Sequence, residues 1–283
     1  MKRIDLHVHS TRSDGTLSPQ RLIRHAVSCG LSAVALTDHD NTDGLEEASQ
    51  EAALWDVELV PGIEFSTEYQ GKDIHIVGLD IHWQHPEFQH KVKYYREERL
   101  RRNQKMIDKM AADGIDISYQ KMIEAFGETV WTRAHFARYL AEHNYVNEMS
   151  DAFKTHIGDD CKYFVPRQKV TPSEVVKLIR TFDGIPVLAH PFQYRFSDFE
   201  LRTLLKTLKK NGLLGIEVYY STHTPQQEAY LSSLAEEFGL SPSGGSDFHG
   251  SNKPDIALGS GRHNLEIPYS VLTNLRKALQ EDN

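Results

Sequence analysis

His7 and His9 flank a single valine. In an extended segment, residues two apart face the same side, so both imidazoles can reach one cation. The same residue types return in short blocks: Ser13-Asp14-Gly15, Thr37-Asp38-His39-Asp40, Pro61-Gly62-Ile63-Glu64, Ile74-His75-Ile76, Ala189-His190-Pro191 and Ser246-Asp247-Phe248-His249. Histidines and carboxylates without thiolates suit Mn, Fe or Zn, and a carboxylate can be shared between two ions. Each block alone has an ordinary explanation, such as a loop, a cap or a satisfied core histidine. Their joint occurrence at the ends of apolar runs points to a metal cluster.

These blocks need elements that bring them together. Ile4 to Val8, Ser32 to Leu36, Val57 to Val60, Ile74 to Leu79, Pro186 to Ala189, Gly215 to Tyr219 and Ser241 to Ser246 read as strands. Helical patterns alternate with several of them. Ser18-Pro19 starts one helix, whose apolar face is Leu22, Ile23, Ala26 and Val27, and Gly30 stops it. Leu45 to Trp55, Ser173 to Phe182, Leu201 to Asn211, Gln226 to Phe238 and Val271 to Gln280 complete the set. Strand-helix-strand alternation predicts an α/β fold with a parallel sheet or barrel. In such a barrel the strand C-terminal ends meet on one face, where the blocks would converge. From residue 88 the texture turns helical and strongly charged, through Phe88–Ala112, Tyr119–Phe126 and Arg133–His143, as far as Val165-Pro166. An inserted helical subdomain over 88–166 is expected, with a discontinuous barrel domain over 1–87 and 167–283.

Bulk properties narrow the function classes. The 283 residues carry a formal charge of −8, so no global basic field exists to hold long duplex nucleic acid. The two cysteines, Cys29 and Cys161, form no Cys-x-x-Cys pair, which argues against thiolate metal sites and disulfides and suits a reducing cytoplasm. No signal-peptide core or membrane-spanning run is expected, hence no membrane partner. No Walker loop or nucleophile elbow appears.

Taken in order along the chain, these motifs resemble the PHP (polymerase and histidinol phosphatase) superfamily. The likeness is greatest to a branch of nucleoside 3',5'-bisphosphate phosphatases and 5'-to-3' exonucleases of short oligoribonucleotides. The resemblance implies a distorted seven-stranded β/α barrel with an inserted helical cap. It implies three metal positions, the first held by His7, His9, Glu64 and Asp247. The second would take Glu64, His75 and His190, and the third Asp14, His39 and His249, with Asp38 orienting a neighbouring histidine. Mn is the expected ion, with Fe or Zn as alternatives. Glu64, His190, Asp247 and His249 are the candidate catalytic groups. Two ions sharing Glu64 would lower the pKa of a water for in-line attack on phosphorus.

Thr132-Arg133-Ala134-His135-Phe136-Ala137-Arg138 and the basic stretch Arg99, Arg101, Arg102 also resemble that branch. Arg99, Arg102, Arg133 and His135, with Asp14 and His39, are the candidate substrate contacts. A guanidinium fork suits a second substrate phosphate, and Thr132 is placed to cap a helix whose N-terminus favours an anion. Two departures are visible. Ala189-His190-Pro191 continues as Phe192-Gln193-Tyr194 where Gly-Arg-Tyr is frequent, with Arg195 beyond it. Asp160-Cys161-Lys162-Tyr163-Phe164-Val165-Pro166 shifts a lysine and replaces a tyrosine. The expected substrate is a nucleoside bisphosphate or a short 5'-phosphorylated RNA. Histidinol phosphate phosphatase and a non-catalytic metal-binding module are the alternatives.

Overall fold

The computed structural model describes residues 2–166 and 170–282. Residues 167–169, where the second barrel segment was expected to start, lie outside the described residues. Seven strands form one sheet in sequence order: β1 (Arg3–Val8), β2 (Leu31–Leu36), β3 (Glu58–Tyr69), β4 (Lys72–Leu79), β5 (Ile185–Leu188), β6 (Gly215–Tyr220) and β7 (Ser241–Gly245). The sheet curls until its ends meet. His9 N–H donates to Phe248 O (3.0 Å) and Asp247 N–H to His7 O (2.8 Å), so β1 and β7 nearly close a barrel.

The sheet is mixed, which corrects the parallel expectation. β1–β2, β2–β3, β5–β6 and β6–β7 are parallel, whereas β4 runs antiparallel to both β3 and β5. The cause is local: only Gln70 and Gly71 separate β3 from β4, and both have left-handed backbone (φ 53 and 79°). Two such residues make the hairpin turn that matches strand twist. β3 is also longer than its apolar start suggests, and Glu64 sits within it rather than at its end.

Inner and outer faces follow the two-residue alternation. Val34, Leu36, Ile63, Phe65, Ile74, Ile76, Leu188 and Ile216 face outward. They pack under α1 (Pro19–Ser28), α2 (Leu45–Ala52), a helix over Pro172–Thr181 and its successors. Ala33, Ala35, Val60, Val77, Leu79, Ile185 and Val187 face inward, and Leu272 and Leu275 of the C-terminal helix Ser270–Glu281 plug that end. β1 breaks the rhythm. Ile4 and Leu6 join the inner cluster but Val8 joins the outer one, because the β1–β2 register slips by a residue between Asp5 and Val8. Such a bulge re-aims side chains. Here it turns His7 and His9 inward, above the apolar plug.

The insertion comprises α3 (Pro86–Ala112), α4 (Tyr119–Phe126), α5 (Arg133–Glu142), α6 (Met149–Ala152) and a π-helical turn over Phe153–Ile157. Its own core runs from Met106 to Tyr163 and includes Trp131, Phe136 and Leu140. Phe88, Val92 and Tyr95, on the first half of α3, pack instead into the barrel's outer cluster. Helix α3 is thus shared: it grows out of the barrel's packing and carries the cap on its second half.

Candidate metal centre

All nine ligand-type residues expected from sequence meet at one mouth of the barrel. His7 and His9 come from the bulged end of β1, and Asp14 and His39 from the loops after β1 and β2. Glu64 and His75 face each other across the hairpin, and His190, Asp247 and His249 follow β5 and β7. Glu64 is the hub. Its Oε1 lies 2.8 Å from His75 Nδ1 and 3.0 Å from His190 Nε2, and its Oε2 lies 3.1–3.3 Å from His39 Nδ1, His9 Nε2 and His7 Nε2. Asp247 Oδ1 faces His9 Nε2 at 3.3 Å, and Asp14 Oδ1 faces His249 Nε2 at 3.2 Å. Four overlapping groups result: His9-Asp14-His39-His249, His7-Glu64-His190, His7-His9-Asp247 and His39-Glu64-His75, with ligand atoms within 4.8 Å of one another.

The residues fit metal ions on an observation of their own. His7 Nε2, His9 Nε2 and His39 Nδ1 are buried, point into the cluster and have no hydrogen-bond partner among the described residues. A buried imidazole nitrogen without a partner is costly unless an electron-pair acceptor takes it. The donor set of nitrogen and carboxylate oxygen matches Mn, Fe or Zn. Burial penalises the charged form of Glu64, yet the facing His39, His7 and His75 outweigh it and hold its carboxyl well below the usual range. Asp14 and Asp247 are lowered in the same way, against burial, chiefly by His249 and His39 for the first and by Lys253 and His249 for the second. Burial disfavours a charged His9 or His75 too, but the facing carboxylates of Asp247 and Glu64 raise His9 to about 9, and Glu64 and Asp73 raise His75 to about 10.

Backbone and neighbours fix this geometry. Asp40, His190 and Asp247 hold left-handed backbone (φ 46, 27 and 57°), a cost that clusters at functional sites. Glu217, on β6, was not expected from sequence. Its Oε1 lies 3.0 Å from His7 Nδ1 and its Oε2 accepts from His190 N–H at 2.7 Å, so one carboxylate orients two ligands. The signal was present: a lone acid inside the apolar run Gly215-Ile216-Glu217-Val218. Buried Asp5 accepts from Ser246 N and Gly259 N (2.8 Å each) and ties β1 to the chain's end. Asp38 corrects its expected role. It accepts from Ser10 N, Ser10 Oγ and Ser13 Oγ (2.8, 2.6 and 2.6 Å), shaping the Asp14 loop instead of gripping a histidine directly.

The cap forms the roof. A cavity of about 180 Å³ over the ligands is lined also by Arg99, Arg102, Arg133, Asp73, Lys253 and Phe153. Arg99 is buried, with Nε and Nη2 on Asp40 Oδ2 (2.8 and 2.5 Å) and Nη2 on Ser66 Oγ (2.6 Å). Arg133 Nη2 bonds Asp73 Oδ2 (3.2 Å), its Nη1 bonds Asp159 Oδ1 (2.6 Å), and its guanidinium stacks on Phe164. Thr132 caps α5, receiving Ala134 N–H at 3.1 Å and donating to Asp14 Oδ2 at 2.7 Å. His135 corrects its expected role as a substrate contact. It does not line the cavity, and its Nδ1 accepts Thr132 N–H at 3.0 Å to close the capping box of α5. Gln193 lines the cavity and bonds Tyr220 Oη (2.5 Å), which donates to Asp247 Oδ2 (2.7 Å); Arg195 does not line it. Asp73, Lys253 and Phe153 were missed because nothing in their local sequence marks them.

The PHP domain model matches residues 5–158. A 5'-3' exoribonuclease of Haemophilus influenzae is 36% identical over 88% of this chain and 90% of its own length. A 3',5'-nucleoside bisphosphate phosphatase of Chromobacterium violaceum is 32% identical over 95% and 93%. A solved amidohydrolase structure from Chromobacterium violaceum, with bound sulfate and no metal, superposes with a TM-score of 0.87 at 31% identity, covering 98% of this chain and 96% of its own.

Proposed function

We propose that this chain, which belongs to the PHP domain family, is a metal-dependent phosphoesterase that cleaves the 3'-phosphate ester of a nucleotide bearing a 5'-phosphate. One observation carries the reading: eight imidazole and carboxylate side chains close around Glu64 beneath a roof of arginines. The two relatives are a 5'-3' exoribonuclease, which degrades RNA from its 5' end, and a 3',5'-nucleoside bisphosphate phosphatase. Those substrates share a unit, a nucleoside with a 5'-phosphate and a 3'-phosphate ester. They differ only in what lies beyond the 3'-phosphorus.

In this reading His7, His9, Glu64 and Asp247 would hold one ion, Glu64, His75 and His190 a second, and Asp14, His39 and His249 a third; the overlapping groups draw on the same nine residues but divide them differently. Mn is the preferred ion. Bound metal supplies a water of lowered pKa and positive charge to balance the phosphoryl oxygens. The lining carries four cations, Arg99, Arg102, Arg133 and Lys253, against four carboxylates, Asp14, Glu64, Asp73 and Asp247. Water oxygen bonds to phosphorus, the P–O3' bond breaks, and the 3'-oxygen leaves protonated. Arg133 and the N-terminus of α5 would take the second phosphate, the guanidinium exchanging its pairing with Asp73 or Asp159 for it.

The test is phosphate release by metal-stripped protein from adenosine 3',5'-bisphosphate, with and without added Mn, beside histidinol phosphate. Mn-dependent release from the bisphosphate with adenosine 5'-monophosphate as product is expected. Preference for histidinol phosphate, or no release by folded, Mn-loaded protein, overturns the proposal.

A further inference from the structure

Asp247 uses its two oxygens differently. Oδ1 faces the ligand cluster, 3.3 Å from His9 Nε2, 3.4 Å from His249 Nδ1 and 3.8 Å from His7 Nε2. Oδ2 accepts from Tyr220 Oη at 2.7 Å and from Lys253 Nζ at 2.6 Å. Tyr220 alone would keep this oxygen bonded and the carboxylate oriented. The ammonium is therefore free to serve something else. Among the described residues Asp247 is its one hydrogen-bond partner, and it takes one donor of a group that has three. The side chain is 36% exposed and lines the metal cavity, so the other donors are open to whatever occupies that cavity.

Lys253 is also placed unlike the other lining cations. Arg99 and Arg102 stand on α3 and Arg133 on α5, so the cap carries them. Lys253 is the one lysine or arginine of the lining that the barrel carries. It follows a short turn, Gly250–Asn252, that is tied to the Asp14 loop. Ser251 N–H donates to Thr16 Oγ1 (3.0 Å) and Asn252 Nδ2 donates to Asp14 O (2.8 Å). The ammonium thus shares its frame with the ligands Asp14 and Asp247. A donor fixed before charge develops costs no reorganisation when it does. Gln193 stands at the far end of the same chain of bonds. It occupies the position where an arginine is frequent, lines the cavity and reaches Oδ2 through Tyr220 Oη (2.5 Å), but it brings no charge.

We infer that Lys253 is a catalytic residue of this chain, its ammonium donating to a non-bridging oxygen of the phosphoryl group under attack. The inference rests on the proposed function and names one contact of that site. The proton stays on nitrogen throughout. What the ammonium contributes is a fixed positive charge on the barrel side, where negative charge spreads over the phosphoryl oxygens.

The test is Lys253→Met, which keeps an unbranched side chain, removes the charge and leaves Tyr220 to orient Asp247. Bound Mn is measured by elemental analysis, and binding of inorganic phosphate to the Mn-loaded protein by calorimetry. Mn content should equal that of the wild type, while phosphate should bind about tenfold more weakly or worse. On adenosine 3',5'-bisphosphate kcat should fall by about tenfold or more. Phosphate binding or kcat equal to the wild type's overturns the inference. So does a Mn content that falls with the phosphate affinity, because Lys253 would then act only by holding Asp247. Lys253→Gln, also uncharged, takes the place of the methionine variant if circular dichroism shows that variant misfolded. If wild-type protein releases no phosphate from the bisphosphate, the proposed function fails. Phosphate binding then decides the contact alone: weaker binding by the variant at equal Mn supports it, and equal binding overturns it.

Discussion

The barrel mouth and the cap both face the same cavity, yet they are held by different means. At the mouth, ligands sit on strands or their immediate ends, and the supporting carboxylates bond to backbone: Asp5 to Ser246 and Gly259, Asp38 to Ser10, Glu217 to His190. On the cap, the functional groups are the tips of long arginines, tethered to carboxylates of other elements: Arg99 to Asp40, Arg96 to Asp43, Arg133 to Asp73 and Asp159. The first arrangement fixes donor positions before any ion arrives. The second permits exchange of one anion for another, which is what a transient phosphate requires.

The sharpest test of the rigid half is Glu64→Gln. It withdraws the charge shared by five imidazoles while keeping the shape. Mn-dependent phosphate release should drop by about 10³-fold or more, with circular dichroism unchanged. Undiminished turnover would show that the mouth does not work through a shared carboxylate. Arg99→Ala strikes the joint between the halves. Asp40 is fully buried, so removing its partner strands a charge, and urea unfolding should show a loss of about 3–5 kcal/mol. A loss near zero would mean that the Arg99–Asp40 pair does not hold the cap to the barrel.

The cap's own weakness is acidic pH. Burial lowers His135 to about 4, and its Nδ1 must stay unprotonated to accept Thr132 N–H. A group whose folded pKa lies below its unfolded value near 6.5 stabilises fully above 6.5, and loses that contribution as pH falls toward 4. Chemical denaturation of the wild type should weaken over that window by up to ~3 kcal/mol. His135→Gln, which retains a capping-box side chain, should flatten the dependence. If the variant keeps the same slope between pH 6.5 and 4, another group governs the cap's acid response.

The same contrast explains what could be read from sequence. His7, His9, Glu64, His190 and Asp247 were legible because strand parity and strand ends place backbone-proximal side chains. The seven-stranded barrel and the helical insertion were legible too, once the motifs were read in order. The β3–β4 hairpin was not, although Gln70-Gly71 between alternating segments is a turn signal. The Ile74–Leu79 run was taken as one more strand of a parallel set. His135 is a substrate contact only through the resemblance of its Thr132–Arg138 segment to the family branch, whereas in the fold it closes the capping box of α5. Arginine side chains are long enough that only tertiary packing decides where Arg99, Arg102 and Arg133 end. Lys253 and Phe153 reach the cavity from loop and π-turn, with no periodicity to announce them.

The seam where β1 meets β7 also sets an order of events at birth. His7 and His9 leave the ribosome long before their hydrogen-bond partners Asp247 and Phe248. At about 5–20 residues per second, that interval lasts on the order of ten seconds or more. Throughout it, the nascent chain carries an incomplete donor set and an open sheet edge. The newborn protein is therefore chemically silent until its last strand docks. An ion gripped across that seam then acts as a clasp on a loop that spans the barrel from its first strand to its last.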